Sequence, residues 1–118
     1  MIDGRKVITL CGSRSFKEDF ERVNSELTLE GKIVISLGVF GREVTDDEKK
    51  LLDAIHISKI NLADSIYVID KGGYFGDSTA KEIEHALQTK KQVDYMEPPS
   101  KESITRLQKF ATTQARVA

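Results

Sequence analysis

The feature that most constrains this chain is a set of short apolar runs that show no alternation of apolar and polar residues. Val7-Ile8-Thr9-Leu10-Cys11, residues 32–39 (Lys32-Ile33-Val34-Ile35-Ser36-Leu37-Gly38-Val39) and Ser65-Ile66-Tyr67-Val68-Ile69 are apolar nearly throughout. A half-exposed strand alternates; one that does not is covered on both faces, as in a parallel sheet between helices. The stretches between the runs read as those helices. Ser15 and Glu18 have capping-box spacing, and Phe16, Phe20, Val23 and Leu27 recur at helical spacing as far as Gly31. Thr45 and Glu48 repeat the box ahead of a second helix reaching about Leu62, with Leu51, Leu52, Ile55 and Ile60 on or near one face. A third helix is capped by Ser78 or Thr79 and turns Ile83, Ala86 and Leu87 inward. Residues 92–96 form a fourth strand at an edge, and Pro98-Pro99 interrupts the chain. A last helix from 101 to about 115 carries Ile104, Leu107 and Phe110 on one side.

The order β-α-β-α-β-α-β-α predicts an α/β fold. The sheet is small, doubly wound (Rossmann-like or flavodoxin-like) and mainly parallel, with four to five strands and flanking helices. At 118 residues the chain holds one domain, read as an α/β unit over 1–97 with a helical tail over 98–118. With 18 basic and 19 acidic residues it lacks the basic excess of domains that bind nucleic-acid polymers. The lone cysteine, Cys11, excludes an intramolecular disulfide and reads as an inert buried thiol. No run approaches the ~18 apolar residues that span a membrane, and the first residues show no signal peptide. The expected setting is therefore cytoplasmic, away from membranes.

Ligands of doubly wound sheets bind beyond the carboxyl ends of the strands. That rule gathers residues 12–16, 38–41 and 70–82 around one crevice. Gly12, Ser13, Arg14 and Phe16 follow the first strand, where hydroxyls and a guanidinium suit a phosphate or a sugar hydroxyl, or simply cap the next helix. Gly72-Gly73-Tyr74-Phe75-Gly76-Asp77-Ser78 joins the third strand to a helix start. Missing Cβ atoms and free backbone N–H groups favour an anion or sugar phosphate there, and Tyr74 or Phe75 offers a ring for a planar base. Glu82 has two readings. It closes a capping box with Thr79, or it faces the crevice, where the helix dipole would lower its pKa and keep it an anion. Asp64 precedes the third strand, at its amino end, so topology places it away from the crevice. His56 reads as a surface residue, and His85 as a neighbour of Glu82 without enough further ligands for a metal. No cofactor or metal is expected.

The runs Leu62-Ala63-Asp64-Ser65-Ile66-Tyr67-Val68-Ile69 and Gly76-Asp77-Ser78-Thr79-Ala80-Lys81-Glu82-Ile83-Glu84-His85-Ala86 resemble the nucleoside 2-deoxyribosyltransferase-like superfamily, which includes deoxynucleoside 5′-monophosphate N-glycosidases. Cys11-Gly12-Ser13 and Phe16 resemble that family's opening strand and turn. The likeness covers about residues 6–96. It implies that Glu82 is the nucleophile on the anomeric carbon and that Asp64 assists base binding and protonation. Asp77 and Ser78 would hold sugar hydroxyls or phosphate. It implies a nucleoside or nucleotide ligand and a homodimer or larger assembly. Where the family has glycine two residues past the glutamate, this chain has Glu84, an acid that would raise the pKa of Glu82 if the two lie close.

Overall fold

The structure, a computed structural model, describes residues 1–117, with side chains described to residue 111. Four strands and four helices alternate: β1 (Val7–Gly12), α1 (Lys17–Leu29), β2 (Ile33–Ile35), α2 (Asp46–Leu62), β3 (Ser65–Ile69), α3 (Asp77–Gln88), β4 (Gln92–Tyr95) and α4 (Lys101–Val117). Single 3-10 turns lie at Arg14–Phe16 and Lys71–Gly73. The strands form one sheet in the order β2-β1-β3-β4, with every neighbouring pair parallel. This is the expected small α/β fold, Rossmann-like or flavodoxin-like. No helix among the described residues is long and apolar enough to cross a membrane.

Two cores flank the sheet. On one face α2, α3 and α4 cover Cys11, Ile66 and Val68 with Ile60, Ile83 and Ala86, and Leu107 and Phe110 of α4 pack against the same cluster. On the other face Ile8, Leu10 and Ile69 meet Phe20 and Val23 of α1. Alternate β1 residues thus serve opposite cores, which is why the strand is apolar without alternation. Each such fully buried side chain contributes roughly 1.5–3 kcal/mol. Thr9, the polar exception in β1, is satisfied by donating to the Lys59 carbonyl at 2.9 Å.

Local signals fared unevenly. The Thr45 box forms with both arms, Thr45 N–H to Glu48 Oε1 at 2.9 Å and Glu48 N–H to Thr45 Oγ1 at 3.1 Å. The Ser15–Glu18 box does not form. Ser13 instead caps the 3-10 turn by accepting from Ser15 N–H at 3.2 Å, and α1 begins only at Lys17. α3 starts earlier than expected, with Gly76 as its N-cap, not Ser78 or Thr79. β2 pairs over three residues and then leaves the sheet. α2 is turned by about one residue: it buries His56 and Ile60, while Leu51 and Leu62 are exposed. Leu87 and Ile104 also face solvent rather than the core.

The segment from Pro98 on is tied to the rest by specific bonds. Ser103 is buried, donates to the Gly73 carbonyl at 2.8 Å and accepts from Phe75 N–H at 3.0 Å. Arg106 Nη1 donates to the Phe75 carbonyl at 2.8 Å.

Candidate functional site

A cleft of about 770 Å³ opens beyond the carboxyl ends of the strands. It lies where the sheet order reverses between β1 and β3, as expected for this topology. The end of β1 supplies Gly12, Ser13, Arg14 and Ser15. The segment after β2 supplies Leu37, Gly38 and Val39, the residues that left the sheet. α3 supplies Asp77, Ser78, Thr79 and Glu82, with Tyr74 and Arg106 alongside. Of the residues singled out in the sequence, Gly12, Ser13, Arg14, Tyr74, Asp77, Ser78 and Glu82 therefore meet at one site.

Three do not. Asp64 sits at the amino end of β3, a strand of five residues and so roughly 16 Å in length. Its carboxylate accepts from Val7 N–H at 2.8 Å and pairs with the terminal amine of Met1 at 2.9 Å. These bonds hold its pKa below the ordinary value. It clamps β1 to β3 and takes no part in the cleft. Gly73 is buried with φ +78°; a Cβ there would stand 2.5 Å from the Pro98 carbonyl oxygen. Its missing side chain makes room for this chain's own backbone, not for a ligand. Phe16 packs into the core beneath α1, and Phe75 is likewise interior, stacked on Tyr95. Tyr74 is left as the exposed ring.

Glu82 is the sixth residue of α3, so it neither closes a capping box nor feels the helix terminus, whose influence fades after the first turn. Its pKa is not lowered but pushed up to about 8, by burial first and then by the Asp53 carboxylate, against an opposing pull from Lys49. Glu84 is not the cause: it is buried elsewhere and accepts from Gln88 Nε2 at 3.4 Å. Lys49 joins the two sides of the cleft, donating to Asp53 Oδ1 at 2.9 Å and to Ser78 Oγ at 3.2 Å. At the rim Arg106 Nε pairs with Asp77 at 3.0 Å, and its guanidinium lies 5.7 Å from the Tyr74 ring centre. Arg14 keeps one buried guanidinium nitrogen, Nη1, without a hydrogen-bond partner.

Behind the cleft lies a group that the sequence pattern did not reveal. His56 is 5 % exposed and its Nε2 stands 3.4 Å from Cys11 Sγ. Burial moves its pKa down to about 4, so the ring is neutral, and burial pushes the Cys11 thiol up. The ligating atoms of Cys11, His56 and Glu82 all lie within 4.8 Å of one another. His85, by contrast, turns away to Asn61 Oδ1 at 2.7 Å. A signal was present: Lys49, Asp53, His56 and Lys59 recur every three or four residues and form one stripe on α2. Neither a protein-family model, nor a curated protein, nor a solved structure matches this chain.

Proposed function

We propose that this chain cleaves or transfers the N-glycosidic bond of a deoxynucleoside or its monophosphate, with Glu82 as the attacking group. The observation that carries the reading is the position of Glu82, a desolvated carboxyl in a nucleoside-sized cleft at the sheet's switch point. Around it stand groups suited to each part of such a ligand. Asp77 and Ser78 suit sugar hydroxyls. Leu37, Val39, Leu52 and Ile55 give an apolar wall for a base, and Tyr74 gives a ring. Arg14 Nη1 suits an anion such as a 5′-phosphate.

Glu82 rests as a carboxylic acid and attacks once ionised. A carboxylate oxygen bonds to the anomeric carbon, the C–N bond breaks, and its electron pair leaves with the base. The proton that Glu82 gave up balances the charge of the departing base, reaching it through cleft solvent. Water or a second base then resolves the glycosyl-enzyme, as in retaining glycoside hydrolysis. Asp64 has no role in this scheme. With a pKa of about 8, roughly a tenth of Glu82 is ionised at neutral pH, so turnover rises toward pH 8.

A binding module without turnover is the second reading. The same raised pKa favours it, because a carboxyl that keeps its proton donates a hydrogen bond to a ligand. Chromatography of free base released from deoxynucleosides, their monophosphates and ribonucleotides separates the two. Release that disappears in Glu82→Gln supports catalysis. Saturable binding without release from any of them supports the module, and release retained in Glu82→Gln refutes the nucleophile.

A further inference from the structure

We propose that Cys11, His56 and Glu82 form a binding site for a thiophilic divalent cation, with Zn²⁺ as its representative. Three elements far apart in sequence, the end of β1, α2 and α3, bring a thiol sulfur, an imidazole nitrogen and a carboxyl oxygen to within 4.8 Å of one another. That donor set suits zinc and its softer neighbours, whereas magnesium and calcium take oxygen ligands. The spacing fits as well. Zinc holds sulfur at about 2.3 Å and nitrogen at about 2.05 Å, which at a tetrahedral angle separates the two by about 3.6 Å. The observed separation of His56 Nε2 and Cys11 Sγ is 3.4 Å.

The histidine is also oriented for the task. Its ring bonds the Leu10 backbone, and with Nε2 facing Cys11 that bond falls to Nδ1. A ligating histidine is characteristically fixed this way, by a carbonyl on the nitrogen that does not hold the metal. The side chains are anchored in packed structure: Cys11 is fully buried and His56 nearly so. Entry is from the cleft, which His56 and Glu82 line and Cys11 lies behind. Three protein ligands leave a fourth tetrahedral position for water or a ligand.

Two other uses of the cluster explain less. A Cys–His nucleophile pair needs a thiol that a substrate can touch, and Cys11 has no exposed surface. A Cys–His contact kept only for packing does not account for Glu82 converging on it. The site is independent of the N-glycosidic reading. If both hold, ion and sugar compete for the Glu82 oxygen, and the metal-free chain is the form that turns over.

The test is titration of the full chain, stripped with a chelator, with Co²⁺ as a spectroscopic stand-in for Zn²⁺. The expected result is one ion per chain, with the visible bands of four-coordinate cobalt, a thiolate-to-cobalt charge-transfer band, and displacement of both by Zn²⁺. Glu82→Gln should keep the thiolate band and weaken binding at least ~10-fold, the scale seen even for outer-shell changes. Cys11→Ala should abolish the band; should that variant not fold, the wild-type spectrum still decides. Absence of a thiolate band in folded wild-type protein overturns the proposal, as does affinity unchanged in Glu82→Gln. No substrate enters this measurement, so a chain that releases no base can still bind the ion, and the two proposals fail separately.

Discussion

Replacing Glu82 by glutamine in the metal-free chain should make the protein more stable in alkali while removing its activity. The carboxyl moves from an ordinary 4.5 to about 8 on folding. The folded protein therefore holds this proton more tightly than the unfolded chain does. Stability from this group is complete below pH 4.5, declines as pH rises, and is gone above about pH 8. At about 1.4 kcal/mol per pH unit the span corresponds to about 5 kcal/mol at most. Glutamine has nearly the same shape and never ionises, so it escapes the decline. Urea unfolding followed by circular dichroism, at intervals from about pH 5 to about pH 9, measures both proteins on one scale. The wild type should lose several kcal/mol more than Glu82→Gln across that range, and the variant should be the more stable at the alkaline end. Two profiles that run parallel within about 0.5 kcal/mol would refute the claim that burial and Asp53 hold the proton on Glu82.

Three further outcomes are expected. Gly73→Ala combines a strained positive φ with a Cβ driven against Pro98, and should cost about 3 kcal/mol; a loss under ~1 kcal/mol in thermal unfolding would show that the turn can yield. Asp64→Asn should keep base release while loosening the amino end of the sheet, and loss of release with the fold intact would return Asp64 to the mechanism. His56, lowered from 6.5 to about 4, opposes folding as it protonates. Stability should fall between about pH 6.5 and about pH 4, by at most about 3 kcal/mol, and His56→Gln should remove that slope.

The sheet was legible because each strand is a short apolar run closed by a glycine or a cap, and the parallel order follows from alternation with helices. The cleft was legible for the same reason: topology alone puts the loops after β1 and β3 together. What sequence could not supply is rotation about a helix axis. α2 carries apolar residues on two stripes, Leu51 with Ile55 and Leu52 with Ile60, and local pattern cannot choose between them. Packing chose the second, which carried His56 inward with Asp53 beside the cleft. Asp64 shows the opposite failure. It stands only five residues from the end of β3 in sequence, yet those residues are the strand itself, and a strand converts nearness in sequence into distance. The turn glycines misled because a missing Cβ serves a ligand and a neighbouring backbone equally well.

The two outer strands are the shortest in the sheet, three residues in β2 and four in β4, against six in β1 and five in β3. Short borders offer few unpaired amides on which another chain could add a strand. Fibrillar growth by sheet extension is thereby discouraged at both borders, without charged gatekeepers or an added cover. Any partnership between copies of this chain must be made through helices or loops, leaving the sheet's register untouched by association.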